Sequence, residues 1–261
     1  MASKTSDAAR TDAGVLLGYV TRLGDNALVL GQRLTELVAH GPELEEELAN
    51  ANFALDYIGQ ARMYFSYAAE LEGQGRGEDD FAFLRDANEF QNFLLLELPD
   101  DHFGDTVVRQ LLFQSFYVLQ LDALGRCSDE RLAGIATRVA KEVRYHLRHS
   151  TQWMIRLGDG TELSHARVAA SLERLWPYTG ELFDGDDVDD AMRESFGGPD
   201  LGALRVEWRR DVGAVLADAR LESPGDCWMY GGGRRGVHSE HMGYLLAEMQ
   251  FLQRAYPGAK W

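Results

Sequence analysis

A glutamate and two histidines lie close together in the stretch AKEVRYHLRHS, which covers residues 140–150. Helix bundles that bind two iron ions use the motif Glu-x-x-His, because this spacing puts both side chains on one inward face of a helix. Here the residue three before His146 is Val143, and the nearest glutamate, Glu142, comes four before it. A valine side chain cannot ligate a metal, so the motif lacks its carboxylate.

Further polar residues among apolar neighbours could belong to the same site. Gln114 lies in an apolar helical stripe, where a di-iron helix would supply a carboxylate. Asp56 and Gln60 are four residues apart in another long segment, and Asp25 stands at the predicted start of an earlier helix. Gly59 precedes Gln60 and lowers helix stability by about 1 kcal/mol relative to alanine, which indicates close packing against another backbone.

We interpret these residues as a degenerate di-iron site, in which a buried hydrogen-bond network takes the place of the metal. The set consists of Asp25, Asp56, Gln60, Gln114, Glu142 and His146. Sites of this class use four carboxylates and two histidines, whereas this set holds three carboxylates and one histidine. We therefore expect no catalytic residue, no metal and no cofactor in this chain. The alternative is a catalytic di-iron site formed by Glu142, His146 and the aspartates.

The glycine-rich stretch YGGGRRGVHSEHMG, residues 230–243, is the second unusual segment. Arg234 and Arg235 follow three glycines just before a predicted helix, and such backbone next to a helix N-terminus can hold a phosphate. A contact with a phosphate group or with an acidic partner is one interpretation. The other is a loop that packs between helices. His238 and His241 lack a second ligand helix, so we expect no metal there.

Helices are the elements that must position all these residues. The chain has six prolines, and long stretches carry the helical period with little strand alternation. Helices are predicted at 15–23, 25–39, 43–71, 80–97, 106–124, 129–157, 162–182, 187–195, 201–219 and 238–255. The segments 25–39, 43–71, 106–124 and 129–157 are long enough to form a bundle, which predicts an all-α fold with a four-helix core and additional C-terminal helices. We expect residues 1–13 to form a flexible tail and 14–261 to form a single domain.

Composition excludes several classes of protein. The formal net charge is −16, which argues against binding to nucleic acid because phosphate contacts require an excess of Lys and Arg. No apolar run approaches the length of a membrane span, and the N-terminus has no apolar segment typical of a secretory signal. Two cysteines are too few for a disulfide framework and fit a reducing compartment. We therefore expect a cytoplasmic protein.

Five blocks of this sequence together resemble a known family. They are LGDNALVLGQRLTEL, LANANFALDYIGQARMYFSYAAELEG, KEVRYHLRHS, LWPYTGELFD and GVHSEHMGYLLAEMQFLQRAYPGAKW. They are similar to the structural subunits of bacterial phenylacetyl-CoA epoxidase, and the similarity extends over about 18–261. Each block alone is weakly specific, whereas the five together are highly specific.

The resemblance implies a ferritin-like fold and a homologous catalytic subunit as partner. That partner would hold the di-iron centre, bind phenylacetyl-CoA and epoxidise its ring with O2, using electrons from a separate reductase that this chain meets only indirectly. The catalytic relative keeps Glu-x-x-His where this chain has Val143 and His146. Members of the family carry an acidic residue where this chain has Gln114, and this departure makes metal binding here less expected.

Three hypotheses follow for the function. The first is a non-catalytic subunit of a multicomponent oxygenase, with a coenzyme A thioester as a candidate ligand at the interface between subunits. The second is a catalytic di-iron oxygenase in its own right. The third is a helical storage or stress protein that acts alone. Metal analysis separates the first from the second, and assembly with a catalytic subunit separates the first from the third.

Overall fold

The computed structural model describes residues 12–38 and 40–259 of the chain. These residues form α-helices and short 3-10 helices, and none of them lies in a β-strand. The α-helices are α1 (Asp12–Thr35), α2 (Leu44–Glu72), α3 (Glu78–Phe83), α4 (Phe103–Leu124), α5 (Glu130–Gly158), α6 (Glu162–Leu175), α7 (Asp187–Phe196), α8 (Leu201–Asp218) and α9 (Glu240–Ala255). The predicted all-α class is confirmed. No helix of the described ranges is long and apolar enough to cross a membrane.

The first predicted helix boundary is wrong. The sequence predicted a break before Asp25, but α1 runs without interruption from Asp12 to Thr35. Gly24 is present because the ring of Phe65 approaches the helix there, and a Cβ at this position would lie 2.6 Å from Cδ1 of that ring. Gly24 is therefore needed for close packing within a continuous helix.

The predicted helix 80–97 is also wrong beyond its first turns. Helix α3 ends at Phe83, and short 3-10 helices at Ala87–Glu89 and Leu94–Leu96 interrupt an otherwise irregular path. The backbone N–H of Gln91 donates to the Asp25 carboxylate (2.9 Å), and the N–H of Phe93 donates to Oδ1 of Asn26 (2.9 Å). This stretch satisfies its backbone on side chains of α1 instead of forming its own helix.

Most of the predicted tail lies outside the described residues. Residues 12 and 13, which we assigned to the tail, belong to α1. By contact, the chain divides into two compact units, formed by the described parts of 1–99, 187–195 and 232–261 and by 100–186 and 196–231. The expectation of a single domain over 14–261 stays a prediction.

In the first unit, α1 and α2 form a long antiparallel pair. Gly24 of α1 faces Phe65 of α2, whereas Gly31 faces Tyr57, so sequence numbers rise along one helix as they fall along the other. Much of α1 is buried, because α2, the 84–99 segment and α9 all contact it. This burial explains why α1 carries so few surface charges.

In the second unit, α4 and α5 form another antiparallel pair, with α6 and α8 packed against it. Asp129, at the predicted start of this helix, caps α5 and accepts a hydrogen bond from the N–H of Leu132 (2.7 Å). The indole of Trp208 in α8 donates to the carbonyl oxygen of Leu112 in α4 (2.9 Å), and the Trp208 ring packs on Trp176. These contacts hold α8 against the α4–α5 pair.

Two glycines of α5 predict opposite effects of the same substitution. A Cβ on Gly158 would lie 2.8 Å from Cβ of Ala219, whereas one on Gly134 would meet nothing within 4 Å. We expect Gly158→Ala to lower the free energy of unfolding by about 1–3 kcal/mol, because the added methyl group overpacks the contact with the end of α8. Gly134→Ala should raise it by up to about 1 kcal/mol. Urea unfolding of both variants measures the two changes, and equal effects would contradict the close approach at Gly158.

Candidate functional site

The inward face of α5 carries the candidate metal-ligand position. Val143, His146, Ser150 and Met154 are all buried on it. Val143 has no exposed surface, so the position of the missing carboxylate is filled by an aliphatic side chain in a closed environment. The buried residues of α5, a helix that is described throughout, include no Asp or Glu.

Gln114 of α4 is a neutral hydrogen-bonding group in the same unit. Its side chain is buried, and its Oε1 accepts a hydrogen bond from the hydroxyl of Ser150 (2.9 Å). A buried amide is stable when hydrogen-bonded. The contact supports the predicted role of Gln114 as part of a polar network, because Ser150 lies one helical turn beyond His146.

Asp25 in the first unit is fully buried and paired with a cation. Its two carboxylate oxygens accept hydrogen bonds from the guanidinium of Arg85, one of them at 3.2 Å. The guanidinium also lies over the ring of Phe90, with its Cζ 4.1 Å from the ring centroid. Asp25 is thus a structural anion in the middle of α1, and not at the start of a helix as the sequence predicted.

The other three predicted residues differ in burial. Gln60 is buried, whereas Asp56 and Glu142 are half-buried. Asp25, Asp56 and Gln60 belong to the first unit, and Gln114, Glu142 and His146 belong to the second. A single network of all six, and a pairing of Glu142 with His146, stay predictions.

The residues at these positions do not fit a pair of iron ions. Iron sites of this kind depend on carboxylates whose charge the metal neutralises, but Asp25 is neutralised by Arg85. Val143 and Gln114 supply no carboxylate. Among the described residues, no group of three or more His, Cys, Asp or Glu side chains is arranged to hold a metal ion. We therefore derive no reaction step through iron in this chain.

The glycine-rich loop packs against the 84–99 segment. A Cβ at Gly233 would lie 3.2 Å from the backbone N of Leu94, and one at Gly236 would lie 3.0 Å from the carbonyl carbon of Asn88. Gly236 also has φ +71°, in the left-handed region that favours glycine. Two of the loop glycines are therefore needed for close approach of backbone to backbone.

The two arginines of this loop have different environments. The buried guanidinium of Arg234 forms an ion pair with Asp189 of α7, and Asp189 also lies 3.9 Å from Nη1 of Arg22. Arg235 is exposed. The charge of Arg234 therefore serves internal packing, and Arg235 is the better placed of the two to meet a phosphate or an acidic partner.

His238 ties the same loop to the 84–99 segment. Its Nδ1 lies 3.1 Å from Oε2 of Glu97, and its Nε2 lies 2.9 Å from the carbonyl oxygen of Phe90. Both neighbours are acceptors, so the ring donates from both nitrogens when it is protonated. Burial disfavours the charged form, but Glu97, the Phe90 carbonyl and the charge of Asp25 outweigh it and raise the pKa of His238.

Sequence reasoning missed Arg85, Glu97 and Asp189, which neutralise Asp25, His238 and Arg234. Their partners are 60, 141 and 45 residues away in the chain. No local sequence pattern indicates such contacts. In the sequence, each of the three missed residues looks like an ordinary charged surface residue.

These features define an all-helical protein with two long antiparallel helix pairs, whose ligand positions do not fit iron. The sequence matches the phenylacetic acid catabolic protein family over residues 1–261, and the chain belongs to that family. The family is ferritin-like, which confirms the predicted fold class. The chain is 46% identical over 246 residues to the C component of the 1,2-phenylacetyl-CoA epoxidase of Escherichia coli (strain K12), covering 94% of this chain and 99% of that relative. The resemblance noted from the sequence is confirmed.

The Asp25–Arg85 pair predicts a large effect of a small substitution. Asp25→Asn keeps the shape of the side chain but leaves the Arg85 guanidinium buried without its counter-charge. We expect the free energy of unfolding to fall by about 3–5 kcal/mol. The control is Asp122→Asn, which removes the partner of Arg144 at a surface pair and should have a much smaller effect. Similar losses in the two variants would show that the buried pair has no special role.

His238 predicts a dependence of stability on pH. Its pKa is raised in the folded state, so its contribution is fully present below the ordinary pKa of about 6.5 and is lost as pH rises through the folded-state value. The unfolding free energy of the wild-type chain should therefore fall over this range relative to that of His238→Gln. Urea unfolding at intervals between about pH 6 and 9 measures this difference. If the difference in unfolding free energy between the two proteins stays constant across this pH range, His238 does not gain a proton on folding.

Proposed function

We propose that this chain is a non-catalytic structural subunit of a cytoplasmic phenylacetyl-CoA 1,2-epoxidase in aerobic phenylacetate degradation. The observation that carries the proposal is 46% identity to a component of such an epoxidase over nearly the full length of both chains. The filled ligand positions at Val143 and Gln114 support a structural role over a catalytic one. The oxygen chemistry would then take place in a homologous di-iron subunit that pairs with this chain.

Coenzyme A and the reductase have different relations to the chain in this proposal. Arg235 is exposed in an acidic protein and is the candidate contact for a coenzyme A phosphate at the subunit interface. The reductase would deliver electrons to the di-iron subunit and would meet this chain only through the assembled complex.

Co-purification followed by metal counting tests the proposed function. The tagged chain is produced with and without the catalytic subunit of the same epoxidase, and iron is counted in each separated subunit. We expect a stable complex, with iron in the catalytic subunit and less than stoichiometric iron in this chain. His146→Gln in the assembled complex should leave its iron content unchanged.

Two results would overturn the proposal. Two irons in this chain, lost in His146→Gln, would assign the chain to the catalytic di-iron class. Absence of any complex with the catalytic subunit would favour a protein that acts alone.

A further inference from the structure

Helix α2 is apolar on two opposite faces. One face is buried in the first unit and carries residues such as Phe53, Tyr57 and Tyr64. On the opposite face three leucines are exposed, with Leu44 at 66%, Leu48 at 57% and Leu55 at 66% of full exposure. A helix that is apolar on both sides is normally buried on both sides, yet the described part of this chain covers only one.

The exposed leucines belong to a regular stripe. We call it the outer stripe and define it as Leu44, Leu48, Ala51 and Leu55, which follow each other at intervals of four, three and four residues. This spacing is the seam along which one helix packs against another. At 1.5 Å per residue the outer stripe is about 17 Å long, or about three helical turns. A second helix can lie along it.

Gly59 lies next to the outer stripe and faces open space. A Cβ at this position would meet nothing within 4 Å, so the close backbone contact that this helical glycine suggested does not come from the described residues of this chain. A helical glycine lowers helix stability relative to alanine. A backbone from another molecule would explain why the position is kept small.

The charges around the outer stripe decide which partner it fits. The carboxylates of Glu43, Glu45, Glu47 and Asp56 lie on both sides of it. Arg62 is the single cationic residue of α2, which is described throughout, and its Nε lies 2.8 Å from Oε1 of Glu78. A second copy would bring the same carboxylates against each other in a chain of net charge −16. A different chain with Lys and Arg beside an apolar seam is complementary.

We propose that the outer stripe of α2 is the docking surface for a helix of the homologous catalytic subunit. The proposal rests on the proposed function, which supplies that partner. The contacting helix of the partner would present apolar residues at seam spacing, flanked by basic side chains that face the carboxylates of α2.

Removing two leucines tests the apolar part of the surface. In Leu48→Ser combined with Leu55→Ser, we expect the Kd for the purified catalytic subunit to rise at least tenfold. The melting temperature of the full chain alone should stay unchanged, because both side chains are exposed. The matched control is Leu163→Ser in α6, which removes a leucine of 62% exposure and should leave the Kd unchanged.

Reversing charge tests the electrostatic part. Three of these four carboxylates lie at or near the start of α2, where the helix dipole also favours them, so charge reversal is tested separately from the loss of the leucines. Glu45→Lys with Glu47→Lys should weaken binding and reduce its dependence on salt. The control reverses two exposed glutamates of the second unit, Glu207→Lys with Glu222→Lys, and should alter neither.

Gly59→Ala separates stability from docking. It should raise the melting temperature of the isolated chain, because alanine favours the helix, and should weaken binding because the methyl group enters the contact. Gly213→Ala in α8, also half-buried and open, should raise the melting temperature and leave binding unchanged. If Gly59→Ala binds the catalytic subunit as tightly as wild type, the partner backbone does not approach α2 closely at Gly59.

Three outcomes would overturn the docking surface or its basis. Wild-type chain that does not bind the catalytic subunit refutes the proposed function itself. Wild-type binding that the double leucine variant retains refutes only the docking surface and places the contact elsewhere, such as the exposed aromatic residues Tyr244 and Phe251 of α9. A dimer of the chain alone that Leu48→Ser with Leu55→Ser dissociates would show that a second copy occupies the outer stripe.

Discussion

The carboxylate of Asp25 has no access to water, and its neutralisation by Arg85 determines the path of much of the first unit. An isolated carboxylate in such a position would be strongly unfavourable. Arg85 reaches it from just beyond the end of α3, and the N–H of Gln91 in the irregular stretch that follows is a further donor to it. The same irregular stretch presents the Phe90 carbonyl and the Glu97 carboxylate to His238, which fixes the glycine-rich loop before α9.

Pairing of a buried carboxylate with a protein cation is repeated elsewhere in the chain. Several buried carboxylates contact a cationic side chain of the protein itself. These pairs are Asp25 with Arg85, Glu97 with His238, Asp100 with Arg109, Asp105 with Arg174 and Asp189 with Arg234. Carboxylates that bind two irons must instead remain without a protein cation until the metal enters. Among the predicted site residues, Asp25 is thus neutralised by a cation of the protein itself.

Local signals in the sequence predicted the helices well and the charge pairs poorly. The cap at Asp129 and the boundaries of α4, α5 and α8 follow from side chains within a few residues of each helix end, so a pattern in the sequence can show them. Asp25 was misread as the start of a helix because an aspartate that pairs with a distant arginine looks the same in sequence as one that starts a helix. The role of Arg234 was equally hidden, since its partner Asp189 lies in a separate helix 45 residues earlier.

The contrast between the two faces of α2 connects fold and function. Its inner face contributes aromatic residues to the core of the first unit, which needs only one apolar side. Exposed leucines at seam spacing add nothing to that core, and a soluble monomer gains no stability from them. A subunit whose ligand positions do not fit iron can still contribute to catalysis by holding another chain in its active form. In such a subunit the residues that matter for function lie on the surface. A search for buried ligand clusters or pockets, which locates an active site, does not find them.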